Sequence, residues 1–268
     1  MTDRIPVVAD LAAFRVAVAG LPLQAEPALD PAGAIVVVDG AGRWWDAADL
    51  AVDGGASAVL VAEPQEVPIE VVAELAARAD VPIVVHRSRL REDLVDLAVE
   101  ERDGVDPRII VGECRAASDG FAAVVRDAVG WTRALARTEV AVAAASVSSG
   151  AGTVLLRSRG DDRIAGSLVL AVTRSDGALL RMQALGEVTT ELEIDEAAGR
   201  SEVVTSTTRG RHVAPTRFES AERAALRRSI EAVVRGRPPR DLVDLVHDAE
   251  ATAMIFGDAR PPRSLVDL

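Results

Sequence analysis

The chain has 268 residues and a formal net charge of −12, which excludes the basic surface that nucleic-acid binders and proteins of anionic membranes use to hold phosphate. Its basic residues are all arginine, because the sequence contains no lysine, so catalysis by an ammonium side chain is excluded. The single cysteine, Cys114, cannot form an internal disulfide, and no run approaches the apolar length of a membrane span. We therefore expect a cytoplasmic protein without nucleic-acid or membrane partners.

The first half of the chain predicts a parallel sheet. The stretch 14–21 is interpreted as a first strand that ends near Gly20, and the proline-rich stretch 22–33 as a connection without a helix. Three later apolar runs are short and uninterrupted, which is typical of parallel strands covered on both sides. They are 34–38, 58–62 and 81–85, and the segments between them have helical spacing.

The second half has a different pattern of apolar and polar residues. After a predicted helix over 119–136, the stretch 139–210 alternates apolar and polar residues between turn sequences, which predicts an antiparallel sheet with one solvated or partner-facing side. Two amphipathic helices close the chain. The predicted fold class is α/β then α+β, an incomplete Rossmann-like parallel sheet followed by an open, mostly antiparallel sheet domain with helices on one face. The predicted domains are 1–116 and 117–268.

Several segments, in this order, resemble the Gfo/Idh/MocA family of sugar and cyclitol oxidoreductases. They are "AIVVVDGAGRWWDAADLAVDGGASAVLVAEP", "EVVAELAARADVPIVVH", "DPRIIVGECRA", "LLRMQALGEVTTELEID" and "SIEAVVRGRPPRDLVDLVHDAEATAMI". The resemblance covers most of Ala34 to Phe256. It implies a nicotinamide-binding Rossmann domain, an open-sheet second domain, and a sheet that often packs against another subunit.

The dinucleotide loop departs from this family. A Rossmann domain holds pyrophosphate on a glycine-rich turn before a helix, with an acidic residue about 20 positions later for the ribose. The turn after the predicted first strand keeps only Gly20, and Pro22 can donate no N–H there. We therefore expect the first helix and at least one further strand–helix unit to be missing. Asp39 matches the spacing of the ribose acid, but a strand-terminal turn is the preferred interpretation.

The positions that the resemblance implies for catalysis are altered as well. Ala62-Glu63-Pro64 stands where the family has Glu-Lys-Pro, so a carboxylate replaces a cation. The family's Asp and His on the first helix of the second domain fall near Ala123 and Asp127. His86 coincides with the family's Gly-His histidine. No metal-ligand spacing is present, so no metal site is expected.

These departures leave three hypotheses. The first is a catalytically degenerate, truncated scaffold without the usual NAD(P) binding and with no cofactor. It would form a homodimer, or a heteromer with a complete family member, through the second sheet. The alternative is an NAD(P)-dependent oxidoreductase acting on a sugar or cyclitol, with His86 as acid/base and Arg87 or Arg115 as cationic clamp. The third is small-molecule sensing. The candidate catalytic residues are His86, Arg87 and Asp127, and the candidate cofactor residues are Gly20, Asp39 and Pro64.

Overall fold

The computed structural model describes residues 4–148, 150–159, 164–174, 176–215, 218–236 and 239–257. The chain divides into two compact units. Unit 1 comprises Met1–Arg91 and Arg217–Val246, and unit 2 comprises Glu92–Thr216 and His247–Leu268. The sequence predicts two domains, 1–116 and 117–268, that are each one continuous segment. The units of the structure consist of two segments each, because the late segment Arg217–Val246 packs with the first segment of unit 1.

Unit 1 contains a five-stranded parallel sheet with the strand order β2-β1-β3-β4-β5. The strands are β1 (Ile5–Val8), β2 (Ala25–Pro27), β3 (Ile35–Asp39), β4 (Ala58–Ala62) and β5 (Ile83–His86). The helices are α1 (Ala12–Ala19), α2 (Trp44–Asp53), α3 (Ile69–Arg78) and, from the end of the chain, α6 (Ala221–Arg235). A last helix, α7 (Asp241–Phe256), begins in unit 1 and ends in unit 2.

Both faces of the parallel sheet are buried, as the uninterrupted apolar runs predict. Leu60 of β4 faces one core, which contains Phe14 of α1 and Leu226 of α6. Its neighbour Val59 faces a second core, which contains residues of α2, α3 and α7. Successive strand residues point to opposite faces, so β4 is buried along its whole length.

The prediction for the first strand is wrong. The stretch predicted as a strand forms helix α1, and the first strand is β1. Phe14, Ala17 and Val18 are buried at helical spacing, so the first helix is present and the prediction that it is missing is also wrong. From β2 the chain passes to β3 through residues 28–34, all of them described, without a helix.

Unit 2 contains an eight-stranded sheet with the order β13-β12-β11-β10-β6-β9-β8-β7. Its strands are β6 (Ile109–Ala116), β7 (Val140–Val147), β8 (Ala151–Ser158), β9 (Ala165–Val172), β10 (Leu179–Leu185), β11 (Thr189–Asp195), β12 (Arg200–Thr207) and β13 (Gly210–Val213). Among the described ladders of this eight-stranded sheet, only the β6–β9 pairing is parallel. The helices are α4 (Glu92–Glu100) and α5 (Phe121–Ala136), and the predicted fold class is confirmed.

Candidate functional site at the carboxyl edge of the parallel sheet

The candidate site lies where β3, β4 and β5 end together. Asp39, Ala62 and His86 are aligned across the three strands. We call these strand ends, with the residues that follow them, the carboxyl edge. Ligands of open parallel sheets bind outside this edge, because the strand-to-helix loops there present backbone N–H groups and helix N-termini.

A close backbone contact joins the ends of β3 and β4. The Gly40 N–H donates to the Ala62 carbonyl at 2.7 Å, and the Gln65 N–H donates to the Gly40 carbonyl at 2.9 Å. A Cβ at position 40 would lie 2.3 Å from the Ala62 oxygen and 2.5 Å from the Glu63 carbonyl. Only glycine fits this contact, which fixes the backbone that carries Glu63.

Glu63 and His86 form a pair across the ends of β4 and β5. Oε1 of Glu63 accepts the Ser88 N–H at 2.5 Å and lies 3.6 Å from Nε2 of His86. The imidazole is 5% exposed, whereas the Glu63 side chain is 42% exposed. Glu63 has a positive φ of 52°, a conformation uncommon for a residue with a side chain. The carboxylate is thus held against a buried imidazole while still reaching solvent.

Helix α1 also contacts this pair and begins at the turn after β1. The Phe14 ring packs edge-on against His86, with 5.6 Å between ring centroids. The N-cap residue, Leu11, makes no side-chain capping bond, and Arg15 Nη1 donates to the Asp10 carbonyl at 2.8 Å. The start of α1 therefore presents backbone N–H groups with a guanidinium beside them, a combination that favours anions.

The predicted cofactor residues occupy different places. Gly20 caps the C-terminal end of α1, where carbonyl groups face outward and disfavour phosphate. The turn that was compared with the family's dinucleotide loop therefore lies at the opposite end of this helix from its N–H groups. Asp39 Oδ1 accepts the Ala41 N–H at 3.0 Å, a turn bond of the kind expected from a strand-terminal acid. Pro64 follows Glu63 at the carboxyl edge.

The remaining candidates are largely buried or belong to unit 2. Arg87 follows His86 and is 6% exposed. Asp127 lies on α5 in unit 2 and is 1% exposed, beside the buried Arg126. Arg115, on β6, forms an ion pair with Glu113. The sequence analysis did not identify Arg15 or Phe14. The available signal was the helical spacing of the apolar residues Phe14, Ala17 and Val18.

The described residues contain no group of three or more His, Cys, Asp and Glu side chains arranged to hold a metal ion. None of their helices combines the length and apolarity that a membrane crossing needs.

Comparison with known proteins identifies the fold. No protein-family model matches the chain, and no curated protein matches it. Among solved structures, UDP-N-acetylglucosamine 3-dehydrogenase GnnA from Acidithiobacillus ferrooxidans is 15% identical, with a TM-score of 0.67 over 94% of this chain and 96% of that chain. KijD10, a 3-ketoreductase from Actinomadura kijaniata, in its open conformation with TDP-benzene and NADP, is 14% identical, with a TM-score of 0.65 over 95% of this chain and 96% of that chain. A KijD10 mutant with one lysine replaced by glutamate, in complex with the same two ligands, is also 14% identical. Its TM-score is 0.65, over 95% of this chain and 97% of that chain.

These comparisons overturn the prediction that no cofactor is involved. The chain shares its fold, over nearly its whole length, with a UDP-N-acetylglucosamine 3-dehydrogenase and with a 3-ketoreductase solved in complex with NADP. The error came from the misplaced first strand, because a chain without β1 and α1 would have no phosphate turn. The predicted resemblance is confirmed at the level of the fold.

The turn after β1 provides donors that fit a diphosphate. Its side chains are small at Ala9, Ala12 and Ala13, and the first N–H groups of α1 stand beside the Arg15 guanidinium. The turn contains no glycine, so alanine methyl groups line the approach to the backbone. The loop 28–34 after β2 runs to the start of β3, where the Gly33 N–H donates to the Gly55 carbonyl. This loop leaves the sheet at the same edge as β1 and β3, because β2 is parallel to β1. It carries Asp30, whose Oδ1 accepts the Ala32 N–H at 3.0 Å.

Proposed function

We propose that this protein is a nicotinamide-dependent oxidoreductase acting on a sugar-like alcohol. The observation that carries the proposal is the Glu63–His86 pair, a solvent-reaching carboxylate at the carboxyl edge of a parallel sheet. The fold is shared with an NADP-bound 3-ketoreductase. A base at this edge lies on the side of the sheet where cofactors bind in such folds.

Dinucleotide binding would rest on the turn after β1. The N–H groups at the start of α1 would donate to the diphosphate, and Arg15, held by the Asp10 carbonyl, would balance its charge. When bound, the nicotinamide ring supplies hydride transfer to or from the carbon that carries the reacting hydroxyl. The KijD10 mutant with NADP supports the view that a lysine-to-glutamate change can coexist with cofactor binding in this fold.

Glu63 would then act as the proton acceptor. The alcohol O–H bond breaks, and its proton passes to the Glu63 carboxylate as the carbon–oxygen bond becomes a carbonyl. His86 is 5% exposed and lies 3.6 Å from the carboxylate, so it would act as a positioning residue beside Glu63. A positioned acid/base group of this kind contributes roughly 10²- to 10⁴-fold in rate.

The binding step is tested by titrating the protein with NADH and with NADPH by fluorescence and calorimetry. We expect saturable binding of at least one of them, weakened about tenfold by Arg15→Met because a charge-assisted bond is lost. Arg235→Met is the matched control, since Arg235 is an exposed arginine at the far end of α6. Equal affinity in wild type and Arg15→Met, or no binding of either nucleotide at millimolar concentration, would refute this arrangement.

The chemical step is tested with a panel of sugars, cyclitols and nucleotide sugars. In Glu63→Gln the amide oxygen can still accept the Ser88 N–H, so we expect unchanged NADH binding and a rate about 100-fold lower. His212→Gln is the control, because His212 lies on β13 of the other sheet. Binding without turnover of any of these substrates would favour the second candidate function.

The second candidate is a scaffold that pairs through the open face of the eight-stranded sheet, as a homodimer or with a complete relative. It is favoured by exposed apolar side chains on three adjacent strands: Ile109 of β6, Val169 of β9 and Leu155 of β8 are 38%, 48% and 46% exposed. Exposed apolar patches of this kind mark interaction surfaces. Light scattering coupled to size exclusion should give a dimer that Val169→Arg converts to monomer, and a monomeric wild type would reject this candidate.

A further inference from the structure

The strand order of the parallel sheet decides in which direction a bound dinucleotide must extend. In the proposed function, on which this step rests, the diphosphate lies at the start of α1, after β1, and the nicotinamide lies beside Glu63 at the end of β4. In the order β2-β1-β3-β4-β5, β4 is on one side of β1 and β2 is on the other. Neighbouring strands are about 4.8 Å apart. A dinucleotide that reaches from β1 to β4 therefore has its adenosine half over the end of β2.

The chain that follows β2 brings one carboxylate to this place. Val7 of β1 is aligned with Pro27 of β2, and the Ala28 N–H donates to the Val7 carbonyl at 2.9 Å. The residues after Ala28 therefore leave the sheet beside the turn that leads into α1. Asp30 is exposed there, and its Oδ1 accepts the Ala32 N–H at 3.0 Å. This bond fixes the carboxylate and leaves Oδ2 without a hydrogen bond from the described part of the chain, so that it can accept one from a ligand.

The same stretch of sequence offers no positive charge to a further phosphate. Between Arg15 and Arg43 the sequence contains no basic residue. Arg4, before β1, lies 3.1 Å from a carboxylate oxygen of Glu26. Arg43 donates to both carboxylate oxygens of Asp46, at 2.6 and 3.1 Å. Arg4 and Arg43 therefore already have carboxylate partners, and Arg15 faces the diphosphate in the proposed arrangement.

We propose that Asp30 makes the protein select NAD(H) against NADP(H). The two cofactors differ by one phosphate on the 2′ oxygen of the adenosine ribose. The ribose of NAD(H) carries two hydroxyl groups there, and each can donate to a carboxylate, which only accepts. The 2′-phosphate of NADP(H) instead brings a charge of roughly −2. It would meet Asp30 as a like charge, which costs binding free energy. In this respect the protein would differ from KijD10, which was solved with NADP.

The test measures the dissociation constants of NADH and NADPH side by side, by nicotinamide fluorescence at equal ionic strength. We expect the wild type to bind NADH about 30-fold more tightly than NADPH. In Asp30→Asn the amide oxygen can still accept the Ala32 N–H but the charge is gone, so the ratio should fall to about threefold. Asp30→Arg should reverse the preference, because a guanidinium pairs with the 2′-phosphate. Asp53→Asn is the matched control and should keep the wild-type ratio, since Asp53 ends α2 at the opposite edge of the sheet.

The outcomes separate this selectivity from the proposed function. Equal binding of the two nucleotides by the wild type, or tighter binding of NADPH, would overturn the role of Asp30 and leave a nicotinamide-dependent protein. An unchanged ratio in Asp30→Asn would overturn it as well. Binding of neither nucleotide would refute the proposed function, and the selectivity with it. A crystal grown with NAD gives a second measurement, in which both ribose hydroxyls should lie within hydrogen-bond distance of the Asp30 carboxylate; a ribose bound elsewhere contradicts the assignment.

Discussion

Replacing Gly40 by alanine should destabilise unit 1 through a single steric conflict. The added Cβ would stand 2.3 Å from the Ala62 carbonyl oxygen, whereas real Cβ contacts essentially never fall below 3.0 Å. One side must therefore move by about 0.7 Å, the difference between these two distances. The atoms that it meets are backbone atoms at the end of β4, so no flexible side chain can turn away.

The magnitude follows from two losses. Overpacking a rigid site costs about 1–3 kcal/mol, and the displacement stretches the 2.7 Å bond from the Gly40 N–H to Ala62, which costs about 1 kcal/mol more. We expect a total loss of about 3 kcal/mol in the free energy of unfolding. This corresponds to a thermal midpoint lower by roughly 6–12 °C.

The assay is urea and thermal unfolding followed by circular dichroism, with Gly186→Ala as the control. Gly186 follows β10, and a Cβ added there would meet nothing closer than 3.4 Å, so this variant should stay within about 0.5 kcal/mol of the wild type. If Gly40→Ala and Gly186→Ala unfold alike, the close contact between the ends of β3 and β4 does not exist as described.

Three further outcomes are expected. Asp241→Ala should cost about 3 kcal/mol in urea unfolding, because Asp241 binds both terminal nitrogens of Arg228 and accepts the Val85 N–H; a loss below 1 kcal/mol would contradict this. Asp248→Ala should lower the free energy of unfolding by a similar amount, since this fully buried carboxylate is bound by the Arg133 guanidinium. The loss for Arg133→Ala should not exceed the loss for Asp248→Ala. Burial raises the pKa of the Cys114 thiol, so the folded state keeps a proton that the unfolded thiol loses near pH 9. Stability should therefore fall by about 1.5 kcal/mol by pH 10, and Cys114→Ala should remove that part of the pH dependence.

The elements that the sequence predicts well are those with one strong periodicity. The apolar runs of β3, β4 and β5 have no competing interpretation, because a buried parallel strand is apolar on both faces. The alternating strands β7 to β12 and the long helices α5, α6 and α7 are equally clear. These segments are sufficient for the fold class.

Helix α1 was predicted as a strand because the β-propensity of its residues and the helical spacing of its apolar residues disagree. Val16 and Val18 favour a strand by β-branching, and no Ser, Thr, Asp or Asn occupies the N-cap. Burial of Phe14, Ala17 and Val18 against α6 decides in favour of the helix. That partner lies some 200 residues later in the sequence, so a local window cannot contain the deciding contact.

The candidate site was only partly predictable for the same reason. His86 and Glu63 could be named from strand ends, because both follow apolar runs. Their contact, and the glycine that permits it, depend on the alignment of three strands.

The core shared by α1 and α6 sets an order of events during synthesis. Leu226 is fully buried against residues of α1 and β4, yet the ribosome makes all of β6 to β13 before it reaches α6. Until α6 is made, the face of the parallel sheet that α1 covers therefore lacks the part of its core that Leu226 and Ile230 supply. Domains generally fold in the order in which they are synthesised, from the N-terminus. Here the eight-stranded sheet, although it is made later, can complete its core first, because the parallel sheet still lacks α6. We therefore expect the N-terminal half to need protection from aggregation until the last two helices are made.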